Sequence, residues 1–328
     1  MRPRLLATVS LSLLSALAFD LAPAEAEASP TYPVDAGGIA FVDVGQGSAA
    51  LLFTRGGRTI AVDAGPADAS EAILATLEAH GRQSIDLWIF THYDADHIGG
   101  MPRVLAGRDG VWDTEDDLRV GEVWDRGDEA RDDGELQFLY SALWLEAERR
   151  WSTVRRRAEA GWSRRVDEVE VEIVRGPEPA RRRENDRGLA LCVIVEGHRI
   201  FMPGDLPAEL GEAAARACAP ADLWWVNHHG ASDGSRPELV ETLQPTLSVV
   251  SAGRDNSHCH PSLTTLADLA GRDLWILDGA GRSARGPCPA LNAWLDPLHR
   301  WAFGGLWLAW EQLEQKRGGK CGGSNAAC

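Results

Sequence analysis

Four side chains able to bind a metal crowd into one short stretch, Phe90-Thr91-His92-Tyr93-Asp94-Ala95-Asp96-His97-Ile98-Gly99-Gly100. The apolar run Ile85 to Phe90 before it reads as a short buried strand. Gly99-Gly100-Met101-Pro102 after it reads as a strand-to-helix turn. His92, Asp94, Asp96 and His97 therefore leave one loop at the C-terminal end of a strand, where open α/β sheets place their chemistry. Imidazole and carboxylate suit a catalytic divalent cation, and one loop can bend them onto two neighbouring ions. A solvated acidic loop with two capping histidines is the plainer alternative, and so tight a cluster after a buried strand speaks against it.

Three later strands end in the same residue types. They close in Pro203-Gly204-Asp205, in Asn227-His228-His229-Gly230, and in Asn256-Ser257-His258-Cys259-His260-Pro261. Between them the chain alternates strand and helix signals. Gly38 to Val44, Ser48 to Thr54 and Thr59 to Val62 read as strands, Ala67 to His80 as a helix, and Val169 to Val174 as a half-buried strand. Leu189 to Val195 and His198 to Met202 form a hairpin, and Leu223 to Val226 and Leu247 to Ser251 are buried strands. This is a mixed α/β sandwich.

Residues 108–165 interrupt that rhythm. They open on an acidic turn, Asp109 to Asp117, where calcium is conceivable but the spacing is not that of an EF-hand. Leu136 to Trp162 reads as a helix or helical pair. Its Arg149, Arg150, Arg155, Arg156 and Arg157 are either solvated surface or a basic arm that grips phosphates.

The 328 residues carry a formal net charge of −16, and Lys316 and Lys320 are the only lysines. Such acidity opposes tight binding of polyanions unless a local basic surface compensates. Arg2 and Arg4, the apolar run Leu5 to Phe19 and the Ala24 to Ala28 segment read as a cleavable export leader over residues 1–28. That makes residues 34–312 the main domain and residues 313–328 a Gly-rich tail. The expected product is secreted or periplasmic, with no membrane span in the mature chain and no partner protein evident. Six cysteines fit an oxidising compartment. The favoured pairs are Cys259–Cys288 and Cys321–Cys328, leaving Cys192 and Cys218 to pair or to stay as buried thiols. No redox-cofactor fingerprint and no thiolate nucleophile is evident.

Taken in order, these motifs resemble the metallo-β-lactamase superfamily, and within it the hydrolase domain of ComEC-type DNA-uptake proteins. Asp43-Val44-Gly45-Gln46-Gly47, Asp63-Ala64-Gly65, the His92–His97 loop, Glu184-Asn185-Asp186-Arg187, Pro203-Gly204-Asp205, Asn227-His228-His229-Gly230 and Asn256 to Pro261 carry the resemblance. It implies a four-layer αβ/βα sandwich, here with a helical insertion at about 108–165, and two divalent ions, zinc or manganese. Carried over by position, His92 and Asp94 would hold one ion, and Asp96, His97 and His229 the other, with Asp205 bridging. Asp94 stands where most of the superfamily has His, and the third His has Asn185 as its nearest counterpart, which makes a harder site. Asp96 would also orient a metal-bridging hydroxide, and His228, His260, Asn185 and Ser232 would donate to the developing oxyanion. Asp43, Gln46 and Asp63 read as chiefly loop-shaping, with Asp43 or Asp63 the alternative supports for the ligands. The implied activity is phosphodiester hydrolysis, with extracellular DNA among the substrates. Small phosphoesters, lactones, or a non-catalytic binding module on the same fold are the alternatives.

Overall fold

A computed structural model describes residues 36–127, 134–178, 183–253, 256–277, 299–302 and 305–317. The leader, Cys288, Cys321, Cys328 and most of the Gly-rich tail lie outside the described residues. In chain order the first half comprises β1 (Gly38–Phe41), β2 (Ala50–Phe53), β3 (Thr59–Val62), α1 (Ser70–Ala79), β4 (Ser84–Ile89), α2 (Ala95–Ile98), α3 (Met101–Leu105), β5 (Arg119–Asp125), α4 (Glu135–Trp151) and β6 (Val154–Arg157). The second comprises β7 (Ser163–Val166), β8 (Val169–Arg175), β9 (Ala190–Val195), β10 (His198–Met202), α5 (Ala208–Cys218), β11 (Leu223–Trp225), α6 (Pro237–Leu243), β12 (Leu247–Ser251), α7 (Leu263–Asp268) and β13 (Leu274–Leu277). β14 (His299–Ala302), β15 (Leu306–Ala309) and α8 (Trp310–Arg317) follow.

The strands form two sheets, ordered β15-β1-β2-β3-β4-β5-β6 and β14-β13-β12-β11-β10-β9-β8-β7. Strand alternation explains how they stack. On β8 the apolar residues Val169, Val171 and Ile173 are buried while the intervening ones are half-exposed. Those three join Ile39, Phe41, Leu52, Ile60, Val62, Leu87 and Ile89 of the first sheet in one core between the sheets. The outer face of the first sheet, with Leu51, Trp88 and Phe90, is covered by Ile73, Leu74 and Leu77 of α1 and by Tyr140, Trp144 and Ala147 of α4. The outer face of the second is covered by α5 and α6. The layers thus run helix, sheet, sheet, helix, the sandwich that the motif order implies.

Residues 108–165 are built into these sheets. Among the described residues between the acidic turn and residue 165, only α4 is helical; Ser152, in left-handed conformation at φ 57°, ends it. Val154–Arg157 then pairs with Glu122–Asp125 as the parallel edge strand β6, and β7 opens the second sheet. The expected helix through Trp162 is therefore a helix followed by two strands. An edge strand with the composition Val-Arg-Arg-Arg lacks the apolar alternation by which strands are read. In the acidic turn, Asp109, Asp116 and Asp117 accept backbone N–H groups of the turn itself, and Arg150 pairs with Asp113 and Asp117. At the other end, α8 continues to Arg317 and buries Leu313 in the inter-sheet core.

Cys192 on β9 and Cys218 at the end of α5 form a disulfide, so the pair left over by the sequence is bonded. Cys259 is disulfide-bonded as well. The Cys192–Cys218 bridge spans 26 residues, which sets its loop-closure contribution at about 3 kcal/mol. We expect the Cys192→Ala/Cys218→Ala variant to lose roughly that much in urea unfolding; an unchanged midpoint would show that the bridge adds nothing to the buried packing.

Candidate metal centre

The loop after β4 is held between the two sheets. Phe90 N–H donates to Trp124 O on β5, and Leu189 N–H, just before β9, donates to Thr91 O. Asp94 then takes the N-cap position of α2, and its carboxylate makes no capping bond. Asp96 and His97 follow inside this short turn. Two glycines let neighbouring loops close on it. At Gly47, φ 147°, a Cβ would stand 2.6 Å from Asp96 O; at Gly204, φ 58°, one would stand 2.8 Å from Thr91 Oγ1. These close approaches account for glycine in the Asp43–Gly47 and Pro203–Asp205 motifs.

Around this turn the expected ligands converge. Atoms of Asp96, His97, Asp205 and His229 lie within 4.8 Å of one another. His97 Nε2 is 3.2 Å from His229 Nε2 and 3.1 Å from Asp205 Oδ1. His229 Nε2 is 3.3 Å from Asp205 Oδ2 and 3.2 Å from Asp96 Oδ2. His92 Nε2 lies 3.9 Å from the same Asp205 Oδ2 and 3.5 Å from Asp94 Oδ2. The groups therefore form a tight set and a looser set that share Asp205.

The far side of each imidazole fixes which nitrogen faces inward. His97 Nδ1 donates to Asp63 Oδ2 at 2.8 Å, and His229 Nδ1 donates to Ser251 O at 2.8 Å. Asp63, itself at φ 58°, is locked in turn by the backbone N–H and hydroxyl of Thr91. Asp63 is thus an orienting partner of a candidate ligand, where the sequence suggested chiefly a loop-shaping residue. His228 and His229 are both left-handed, at φ 50° and 52°, a costly state for two consecutive side chains. Buried Asn227 holds the turn by accepting from Trp224 Nε1 and donating to Leu206 O.

With both Nδ1 atoms donating outward, the Nε2 lone pairs of His97 and His229 point at one another across 3.2 Å. Only positive charge between them relieves that arrangement. Protons can supply it: burial opposes charging either ring, but the carboxylates of Asp205, with Asp63 for His97 and Asp96 for His229, prevail. His97 is raised well above the usual histidine range and His229 to about 9. The same contacts, working against burial, hold Asp96 and Asp205 below the usual carboxylate range. A divalent cation supplies the same charge at one point. Buried His92 Nε2 has no hydrogen-bond partner, and imidazole nitrogens and carboxylates such as those gathered here are donor types that ligate zinc or manganese. The residues present therefore fit a metal.

A cleft of roughly 450 Å3 opens over the centre. Asn185, His228 and His260 line it, as do Gln46 and His258, with Pro66, Ala67 and Leu136 supplying apolar wall. Asn185 Nδ2 lies 3.2 Å from His228 Nε2, whose Nδ1 donates to Asp233 at 2.8 Å. Burial opposes charging His228, and the Asp233 bond with the Asp205 charge raises it. His260 is lowered to about 4 by burial and by the neighbouring His229 and His228. Ser232 is exposed and does not line the cleft, because the chain turns outward after Gly230. Asp43 accepts from Gly45 N–H at 3.5 Å, a loop-shaping contact as expected. Asp233, five residues beyond His228, carried no spacing signal.

Beneath Asn185 runs a buried ionic network. Arg126 pairs with Glu184, and its guanidinium stacks 4.0 Å over the Tyr93 ring. Glu184 also accepts from Tyr93 N–H at 2.8 Å. One carboxylate thereby ties the loop of His92 and Asp94 to the turn that carries Asn185.

Residues 42–254 match the family model described as Metallo-beta-lactamase superfamily. The chain belongs to that superfamily. Among curated relatives it is similar to Competence protein ComA of Neisseria gonorrhoeae, 26 % identical over 225 residues, covering 67 % of this chain and 28 % of that one. ComE operon protein 3 of Bacillus subtilis (strain 168) is 25 % identical over 213 residues, covering 63 % of this chain and 25 % of that protein. The chain thus spans about a quarter of the length of these relatives. Among solved structures it is similar in fold to CmlA, a diiron beta-hydroxylase from Streptomyces venezuelae. There the TM-score is 0.52 at 13 % identity, covering 85 % of this chain and 55 % of that one. No helix among the described residues is long and apolar enough to cross a membrane. The ComEC-type resemblance read from the motifs is thus matched by competence-protein relatives of this superfamily member.

If Asp63 orients His97, Asp63→Asn should weaken metal binding roughly 10- to 100-fold while the fold persists. Titration of chelator-stripped protein with Zn2+ or Mn2+, followed by intrinsic fluorescence, reads this; wild-type affinity in the variant would reduce Asp63 to a loop contact.

Proposed function

We propose that the protein is an exported, metal-dependent phosphodiesterase with a two-ion centre. The carrying observation is the gathering of two sets around Asp205, a tight one of His97, His229 and Asp96 and a looser one of His92 and Asp94, with inward-facing imidazole nitrogens and a buried His92 Nε2 that has no hydrogen-bond partner. In this reading His92 and Asp94 hold one ion, Asp96, His97 and His229 the other, and Asp205 touches both. Zinc or manganese suits such a mixed nitrogen–oxygen donor set. When bound, such ions supply Lewis acidity towards a water and towards the phosphoryl oxygens.

The chain's own residues supply position and hydrogen bonds. Asp96, fixed by His229, is placed to orient the attacking water. Asn185, His228 and His260 line the same cleft and donate towards an oxygen that gains charge. The opposite wall, with Pro66, Ala67 and Leu136, accepts the organic part of an ester. The competence-protein relatives favour DNA as the diester, and export would place the enzyme where such DNA is found. The net charge of −16 favours smaller phosphodiesters instead, and lactones remain the next ester class to test.

The first experiment is metal content by mass spectrometry, paired with bis-p-nitrophenyl phosphate turnover before and after chelation and re-addition of Zn2+ or Mn2+. About two ions per chain and restored turnover are expected; metal without phosphodiester turnover would redirect the reading to lactones, and no metal would make this a binding module. Asp205→Ala should lose metal and activity together, and full turnover in that variant would remove its shared role. Asp96→Asn should keep the fold and lose about two orders of magnitude in turnover; unchanged turnover would reject Asp96 as the orienting group.

A further inference from the structure

One polar side chain of the cleft is not used by the scaffold. Gln46 lines the cleft, and its carboxamide makes no hydrogen bond among the described residues, with Oε1 buried and unpartnered. The loop that carries it is shaped by other groups. Ser48 N–H donates to Asp96 O at 3.0 Å, Gly65 N–H donates to Ser48 O at 2.8 Å, and Gly45 N–H reaches Asp43 Oδ1 at 3.5 Å. The loop-shaping expected of Gln46 from sequence therefore falls to Asp43, Ser48 and the glycines.

The backbone of Gln46 is nevertheless pinned from two sides. A Cβ on Gly47 would stand 2.7 Å from Pro66 Cδ, and one on Gly253 would stand 3.0 Å from Gln46 N. Gly253 O accepts from Asn256 Nδ2 at 2.6 Å, and Asn256 also bonds the N–H and the carbonyl of His260, at 2.8 and 2.7 Å. Gln46 thus stands between Pro66 and the turn of His258 and His260. His258 is exposed, and its ring lies 5.4 Å from that of His260 with 30° between their planes. Both rings line the cleft together with Gln46, Pro66 and Ala67.

A buried amide oxygen without a partner is costly unless a ligand's donor reaches it. A carboxamide holds an acceptor and a donor side by side in one plane, which suits a partner with an N–H next to a C=O. An exposed imidazole face suits a flat ring. We infer that Gln46 is a specificity-determining residue that pairs with the amide edge of a flat ring in the ester, such as a pyrimidine base, stacked against His258. The ester itself rests on the phosphodiesterase reading, whereas the hydrogen bond at Gln46 is measured apart from turnover. Donation from Gln46 Nε2 to a phosphoryl oxygen is the competing use, and it would act alike on every phosphodiester.

The probes are the p-nitrophenyl ester of thymidine 5′-phosphate and its N3-methyl analogue, which lacks the ring N–H that would meet Oε1. The wild type should show a kcat/KM about tenfold higher for the unmethylated ester, carried mainly by KM. In Gln46→Met, of similar length but without an amide, that ratio should fall to about one. His258→Ala should raise KM for both esters alike, and His258→Phe should restore it. Calorimetry with thymidine 5′-phosphate and its N3-methyl derivative repeats the comparison without turnover. Equal kcat/KM for the two esters in the wild type, or a ratio that survives in Gln46→Met, would overturn the inference and leave the phosphodiesterase standing. An unchanged KM in His258→Ala would remove the stacking contact. Binding that discriminates the two nucleotides only while Gln46 is present, with no turnover of either ester, would keep this subsite and reject the hydrolase instead.

Discussion

The structure depends on keeping atoms of His97, His229, Asp96 and Asp205 within 4.8 Å of one another inside the protein. Charges removed from water are costly unless they meet opposite charge in good geometry. Two imidazole nitrogens facing each other at 3.2 Å add repulsion unless something positive lies between them. Asp205 answers both demands because it reaches His97 and His229 at once. A centre of this kind would fly apart in a loose loop. It persists because each participant is anchored on its outward side to a different piece of rigid sheet.

Those anchors account for much of the local irregularity. His97 leans on Asp63, which Thr91 fixes in a left-handed state at the end of β3. His229 leans on the last carbonyl of β12. The left-handed pair His228–His229 is held by Asn227, whose amide bridges Trp224 and Leu206. The strain is tolerated where the surrounding packing over-determines it, and it is used to turn two successive histidines in different directions. His229 faces the tight set, and His228 faces Asn185 and the cleft. The Arg126–Glu184–Tyr93 network does for Asn185 what Asp63 does for His97.

Strands with apolar alternation, the helix over Ala67 to His80 and the candidate ligands His92, Asp94, Asp96 and His97 were legible from residue type and order, and Asp205 and His229 joined them through the family resemblance. Burial imposes its period on a strand locally, and donors at strand ends are few enough to stand out. The edge strand β6 was not legible, because a strand with one neighbour and an arginine face owes its state to pairing with β5 rather than to its own composition. Nor was the role of Asp233, which follows no spacing rule, whereas the Cys192–Cys218 bond was the pairing left after the other cysteines and Asp63 one of two residues offered as supports for the ligands. The chain's order of residues determines which groups are available and which strand end carries them. Tertiary packing alone decides which nitrogen of each histidine turns inward and which carboxylate they share, because those choices are made by partners on adjacent strand ends that are distant in sequence.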